Sequence, residues 1–402
     1  MAEASITWRA FEPFLRSHPV ASVLSSVRSV VAVGSLAVAV AIPANLGPLR
    51  SPSSTGRAAT EVYGYINDVS CPTVHFCMAV GYEQNLQYQL VGALVDRWGG
   101  ATWTRDAAGA TANVQLSSVS CVTAAWCMAV GSNSGGGVAW QVWNGSTWSA
   151  KAITGLTQAY ASSVSCTSPS MCRAVGVVDA TSGVAAGFIA SWNGHRWTTS
   201  LVRPPPAAAR TQLSGVSCAS LTFCMATGYS QASATSTRTP LVEEWDGSSW
   251  RAVTLRAPFG AIQLLGVDCV STRWCAAVGA KVQGTFSACW NGQRWGTLAA
   301  MRKQFTYSTF SSIGCASPLR CVAVGSGAYP RGPSAFTGDL WDGHHWSLSI
   351  QDLQYPQGDL GGASCPSPTY CVAAGWVTGQ TQAAPLIETW AGRSWAIQTA
   401  PS

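Results

Sequence analysis

Apolar residues recur along this chain in a long repeat, with no sustained stretch at the helical period of about 3.6 residues. In each of seven segments an apolar residue stands five positions before a cysteine: Ile66, Leu116, Ala161, Leu213, Leu264, Phe310 and Leu360. A second (Val69, Val119, Val164, Val216, Val267, Ile313, Ala363) stands two positions before it. Another cysteine follows after five intervening residues, then Ala two positions on and Gly four positions on, as in Ala79 and Gly81 or Ala373 and Gly375. A stretch of variable length comes next. Every segment then closes on Trp-x-Gly-x-x-Trp: Trp98/Trp103, Trp143/Trp148, Trp192/Trp197, Trp245/Trp250, Trp290/Trp295, Trp341/Trp346 and Trp390/Trp395. Short apolar runs bounded by turn residues read as strands, and self-similarity at 45 to 52 residues reads as a propeller or solenoid.

Four strands fit each segment. Strand A runs into the first cysteine (116–121), strand B leaves the second (127–131), strand C leads to the first Trp (138–143) and strand D starts near the second (147–153). Asn or Asp followed by Gly at Asn144, Asn193, Asp246, Asn291 and Asp342 signals a hairpin, because tight two-residue turns need positive φ. The first and last segments vary this with Gly99-Gly100 and Ala391-Gly392. Small residues on strand B suit a place where strands from all blades converge, and the Trp pairs suit the outer edge or the gap between blades. The pattern predicts an all-β fold, a seven-bladed β-propeller of four-stranded antiparallel blades, with repeats at 60–107, 113–157, 158–205, 211–258, 261–302, 306–353 and 357–400. An open β-solenoid is the alternative. The first repeat begins with strand A and the last ends with strand D, so the ring needs no shared blade, although a strand at 61–66 could instead join the last one.

The N-terminus predicts export. Arg9, Arg16 and Arg28 precede an apolar stretch at 30–42, and small residues follow, with cleavage expected after Ala41 or Ala44. The stretch falls short of the ~20 residues of a membrane span, so residues 1–44 read as a signal peptide, with a retained N-terminal anchor as the alternative. Residues 45–59 read as a linker and 60–402 as the propeller. Charged residues make up only 10% of the chain and aromatics 10%, a composition unlike that of disorder. The net charge of +6 is thinly spread and no Lys/Arg run occurs, which argues against nucleic acid as a partner.

Of 15 cysteines, 14 form the repeated pairs Cys71/Cys77, Cys121/Cys127, Cys166/Cys172, Cys218/Cys224, Cys269/Cys275, Cys315/Cys321 and Cys365/Cys371. In an exported chain these predict seven local disulfides across the A–B hairpins. Zinc is the rival reading, but the close CxxC spacing and His partners are missing. No metal and no cofactor is expected. Cys289 is left over, and a buried free thiol is expected there.

Residues 60–400 resemble Kelch-type and Asp-box β-propeller repeats. The Ala-Val-Gly strand, variable stretch and Trp-containing last hairpin resemble the Kelch order of features. The Gly-x-x-Trp half of the turn, Gly145 and Trp148 for instance, resembles an Asp-box. The chain departs from both: Asn or Asp is adjacent to the Gly instead of two residues before it, and the Kelch double Gly is absent. The cysteine pairs resemble those of propeller-repeat proteins exported by bacteria, and the Trp-x-Gly-x-x-Trp turn is similar to repeats of sugar-binding propeller lectins. These resemblances imply a fold and leave function to the site.

Catalytic signals are sparse. The five histidines (His18, His75, His195, His344, His345) do not recur across the repeats, and His344-His345 fill a hairpin turn. Glu243-Glu244 is the one acidic doublet on a strand and is expected to be half solvated. Strand order puts the A–B and C–D turns on one face and the variable B–C segments (82–91, 132–138, 177–187, 229–240, 280–285, 326–338, 376–385) on the other. Binding residues favour variable loops on a rigid scaffold. The aromatic candidates there are Tyr82, Tyr88, Tyr229, Tyr329 and Trp376. The expected function is that of a non-catalytic, secreted or cell-surface binding propeller, monomeric, with an extracellular protein or glycan as partner. A membrane contact is expected only if the N-terminal anchor is retained. A sialidase-like glycan hydrolase is the alternative and requires Arg and carboxylates clustered centrally on the B–C face. A lectin version requires sites between blades lined by the repeated Trp, and fails if those Trp are fully buried.

Overall fold

The computed structural model describes residues 62–179, 185–206, 208–233, 235–298, 307–328, 334–351, 357–378 and 383–401. The expected signal or anchor (1–44), the linker (45–59) and Tyr329 lie outside the described residues. The described residues form seven antiparallel sheets, each of four strands consecutive in sequence. These blades span 62–105, 114–157, 159–201, 210–252, 261–297, 307–351 and 357–398.

Strand A is the innermost strand of every blade. A polar channel of about 90 Å³ runs between these strands, walled by Asn67, Asp68, Ser118, Ser163, Ser312 and their neighbours. The small residues of strand B therefore do not mark the axis, and their role is different. In each blade the pairing of A with B skips one residue, a β-bulge at Asn67, Ser117, Ser162, Ser214, Leu265, Ser311 or Gly361. The bulge drives a strand A carbonyl into strand B opposite the repeated glycine. A Cβ on Gly81, Gly131, Gly176, Gly228, Gly279, Gly325 or Gly375 would lie 1.8 to 2.0 Å from that oxygen, so only glycine fits. Strand B itself is buried on both faces, since a neighbouring blade covers each; Cys127, Met128, Ala129 and Val130 are all fully buried. Burial then falls outward, and strand D of blade 2 (Trp148–Thr157) is exposed at most positions.

The inner edge of each sheet leaves backbone N–H groups without a ladder partner. The residue before the first cysteine supplies an acceptor in six of the seven blades. The N–H of Cys121 donates to Ser70 Oγ, that of Cys166 to Ser120, Cys218 to Ser165, Cys269 to Ser217, Cys315 to Asp268 and Cys71 to Ser364, all at 2.7 to 3.0 Å. Gly314 has no side chain to offer, and this tier is interrupted between blades 6 and 7. Two residues inward a second tier repeats the device. Val119 N–H donates to Asp68, Val164 to Ser118, Val216 to Ser163 and Ala363 to Ser312, at 3.0 to 3.2 Å. The Cys71 to Ser364 bond joins blade 1 to blade 7, and Ile66, Val69 and Leu94 share a core with Val372, Ala374 and Ile387. The ring thus closes by packing and side-chain hydrogen bonds, with Val62–Thr73 paired inside blade 1.

All seven expected disulfides form: Cys71–Cys77, Cys121–Cys127, Cys166–Cys172, Cys218–Cys224, Cys269–Cys275, Cys315–Cys321 and Cys365–Cys371, with Cα atoms 4.0 to 4.1 Å apart. Each clamps A to B beside their turn and closes a short loop, contributing on the order of 2 kcal/mol. The two halves of a pair differ in setting. The first cysteine lies near the end of strand A and is buried or half-buried. The second opens strand B, and Cys77, Cys127, Cys172, Cys224, Cys275, Cys321 and Cys371 are all fully buried at 0% exposure. A neighbouring blade covers each face of strand B and so buries these seven, as suits their expected disulfide role. They brace the scaffold and present nothing to a ligand. Cys289 is the free cysteine; it is half-buried on strand C of blade 5 and burial raises its pKa.

Alkylation of the unreduced, denatured chain is therefore expected to label one cysteine, Cys289, as read by mass spectrometry. Replacing Ser120 with Ala leaves the Cys166 N–H buried without an acceptor, and urea melts should report a loss of about 1–3 kcal/mol. Gly228→Ala should be worse, costing about 3 kcal/mol or more in the same measurement, because its Cβ would meet the Gln212 carbonyl at 1.9 Å.

Candidate functional site

The Trp pairs are explained first, because they bear on the lectin reading. Across each C–D turn the two indoles tilt against one another at 43 to 48°, with centroids 5.4 to 6.2 Å apart. In six blades the first Trp donates its Nε1–H to a carbonyl of the A–B turn: Val74, Ala124, Pro169, Leu221, Thr272 or Pro318. The turns themselves are built by Asx caps. Asn144 Oδ1 accepts the N–H groups of Ser146 and Thr147, and Asn193, Asp246, Asn291 and Asp342 repeat this. Gly occupies the next position with φ of +84 to +97° in all seven. His344 and His345 serve this turn through their backbone and stand exposed. Eight of the repeated Trp are buried and the other six are half-buried. The buried Nε1 atoms of Trp148, Trp197, Trp250 and Trp295 have no partner among the described residues. The repeated Trp are thus chiefly hairpin clamps.

On the opposite face the structure gathers three of the sequence candidates at the junction of blades 1 and 7. Tyr82 stacks on Tyr65 at 4.9 Å, and Trp376 meets Tyr65 edge-on at 5.4 Å. Tyr88 stacks on Tyr63 at 5.9 Å and is 71% exposed. Tyr63, Tyr65, Tyr82 and Trp376 are half-buried. Burial pushes the Tyr82 phenol up to about 12, and it raises that of Tyr65 as well, so both remain hydrogen-bonding hydroxyls at neutral pH. Tyr82 and Trp376 stand at the end of strand B, not in loops, because strand B runs on to Asn85 in blade 1 and Thr378 in blade 7. Tyr88 sits in the short turn beyond, with φ of 58°. Next to Tyr82, Glu83 pairs with Arg105, whose Nε holds Asp96 at 2.6 Å and whose Nη2 donates to the Pro401 carbonyl at 3.3 Å. That knot ties strands B, C and D of blade 1 to the end of the chain beyond blade 7.

Tyr229 belongs elsewhere. It lies in blade 4, is 8% exposed, donates its hydroxyl to Gln212 at 3.1 Å and is covered by the Arg238 guanidinium at 4.2 Å. Tyr63 and Tyr65 escaped the sequence reading, which searched only the B–C segments. The start of strand A ends on that same face, so their Tyr-x-Tyr alternation was the available signal.

The channel wall carries Asp68 as its one acid and no arginine among the described residues. Glu243 and Glu244 are both buried, at 4% and 7% exposure, where half-solvated side chains were expected. Neighbours on one strand point to opposite faces. Glu244 pairs with Arg251 at 3.0 Å, while burial pushes Glu243 up to about 7. Across from it in blade 3, Arg173 lies over Trp245 at 4.7 Å, in the place where blades 1, 2 and 4 carry Met78, Met128 and Met225. No group of three or more His, Cys, Asp or Glu able to hold a metal occurs among the described residues.

No protein-family model matches the chain, and no curated protein matches it. Solved structures similar in fold include the β-propeller domain of the Trilobed protease from Pyrococcus furiosus, 10% identical with a TM-score of 0.54, covering 84% of this chain and 96% of that one. An ulvan lyase from a new family of polysaccharide lyases is 8% identical with a TM-score of 0.50, covering 85% and 97%. YCF48 bound to a D1 peptide is 16% identical with a TM-score of 0.49, covering 82% and 94%. The first two likenesses bear on the fold.

The enclosed acids predict a pH dependence. Burial outweighs the hydrogen bonds to Asp68 and Asp268, raising both to about 6, and raises Asp359 and Glu243 to about 7. Between about pH 4 and 7 the folded state then binds more protons than the unfolded one, so stability falls as pH rises through that window. Asp246 and Asp342, held below the ordinary carboxylate range by turn hydrogen bonds, act in the opposite direction and lose their contribution only in stronger acid. Urea midpoints should be higher at pH 5 than at pH 7.5.

Proposed function

We propose that this chain is a non-catalytic extracellular binding propeller, secreted or held at the cell surface, that takes a glycan or protein partner on its variable-segment face. The observation that carries this reading is the patch of Tyr63, Tyr65, Tyr82, Tyr88 and Trp376 where blades 1 and 7 meet. Flat amphipathic rings with free hydroxyls suit both sugar faces and protein hot spots, and they cost little conformational entropy to hold. The patch stands on a ring stiffened by seven disulfides. Those bonds fit an oxidising compartment, and the N-terminal segment is read as the export signal or anchor that delivers the chain there. The likeness of the repeats to Kelch-type and Asp-box propellers belongs to the same reading.

The test is binding of the oxidised full chain to arrays of glycans, including cell-wall polysaccharides, and of extracellular peptides. Saturable binding that weakens about tenfold or more in Tyr88→Ala and Trp376→Ala supports the patch. Binding indifferent to both substitutions removes it. Turnover of glycoside substrates by the same preparation would favour the hydrolase reading.

A further inference from the structure

Trp390 breaks the rule kept by the first Trp of the other six blades. Its Nε1, buried, has no partner among the described residues. The same residue lines a groove of about 530 Å³ between the outer strands of blades 6 and 7, a volume within the range of small-molecule sites. Trp395 lines it too, and its indole N–H donates to Ser349 Oγ of blade 6, which holds the ring across the junction. Leu348, Ile350 and Ile397 supply aliphatic walls, with Ile397 45% exposed. At the rim Arg393 is exposed, with no carboxylate in ion-pair range among the described residues. It replaces Ala101, Ser146, His195, Ser248, Gln293 and His344 at the same turn position of the other blades.

We propose that this groove is a binding site, separate from the aromatic patch, for a pyranose bearing a carboxylate, such as a uronic-acid unit of an acidic polysaccharide. The C–H face of a pyranose packs on an indole and aliphatic side chains as any apolar surface does, while its edge must hydrogen-bond. The groove offers donors for that edge in the Ser394 hydroxyl and the Arg393 guanidinium, while the Ser347 hydroxyl donates to the Leu340 carbonyl and can accept. The buried Glu388 also lines the groove and already has a partner of its own. A guanidinium can only donate, so the rim is matched to an acceptor-rich ligand. The guanidinium fork fits a carboxylate with two parallel hydrogen bonds. A neutral sugar would leave that fork unused. Arg stands at this turn position in blade 7 alone, which is why the same chemistry does not repeat around the ring.

The proposal is tested by titrating the oxidised full chain with methyl glucuronide and methyl glucoside, following tryptophan fluorescence. The glucuronide should bind about tenfold or more tighter, as a charge-assisted bond implies. Arg393→Gln should erase the preference. Trp395→Ala removes the half-buried indole wall and should weaken both sugars about three- to tenfold. Because Arg393 is exposed, its variant is expected to fold normally, and a thermal melt matching the parent confirms this. Should Trp395→Ala unfold, the Arg393→Gln comparison decides alone. Equal binding of the two sugars, no saturable glucuronide binding, or an Arg393→Gln variant that keeps the preference overturns the proposal. Tyr88→Ala should leave glucuronide binding unchanged, so failure of the aromatic patch and failure of this groove are read separately.

Discussion

The ring depends on how the unpaired N–H groups of its innermost strands are satisfied. An edge strand normally turns those groups to water or hides them. Here seven edges converge on an axis too narrow for free solvation, and the answer is a side-chain acceptor lent by the preceding blade. The residue that donates the N–H is the first cysteine of the disulfide. One residue therefore fixes its blade in two directions, through sulfur to strand B and through its amide to the preceding blade. Ser-Cys at 70–71, 120–121, 165–166, 217–218 and 364–365 is the written form of this device, with Asp268 as a longer acceptor and Gly314 as its one omission. Each bond is worth about 1 kcal/mol net, but an absent acceptor leaves a buried amide stranded, so the penalty for losing one exceeds its nominal value. Stability becomes a sum of blades and of junctions between blades.

The repeated glycine follows from the same geometry. Bringing serines of strand A to the axis requires the bulge, and the bulge pushes a carbonyl into strand B where any Cβ would collide. The period, the cysteine pairs, the paired Trp and the turn glycines were legible as strand, hairpin and propeller because each is local and recurs. The reason for the strand B glycine was not, since it lies in a contact between strands that no single segment displays. The Asx-Gly turn was legible in outline; the structure adds that Asn or Asp acts as the cap and Gly holds the positive φ.

The candidate site was only partly legible, for a related reason. Tyr82, Tyr88 and Trp376 could be picked from variable segments, but their meeting depends on closure of the ring, which brings residues almost 300 positions apart together. Tyr63 and Tyr65 belong to strand A, whose repeated function drew attention away from its outer end. Tyr229 carries the same residue type at the position equivalent to Tyr82, yet Arg238 and Gln212 cover it. Residue type at an equivalent position thus does not determine exposure; the neighbouring side chains do.

In a molecule made of one unit repeated seven times, what is shared builds the scaffold, and recognition must come from what differs. The differences are few and concentrated. At the position six before the first cysteine, blade 1 carries Tyr65 where the others carry Gln115, Tyr160, Gln212, Gln263, Thr309 and Asp359. Five after the second cysteine, Tyr82 and Trp376 stand where blades 2, 5 and 6 carry Ser132, Ala280 and Ser326. Arg393 and the unpartnered Trp390 distinguish blade 7 again. Both departures involve blade 7, which touches blade 1 on one side and blade 6 on the other. Blade 7 is also where the outer tier of clasps fails, because Gly314 offers nothing to Cys365. A blade held by one fewer bond, and bordered by the termini of the ring, is freer to diverge from its siblings, since fewer of its surface positions are fixed by the repeat. The closing blade is therefore the physical place in this fold where chemistry can be added at the least cost to the ring.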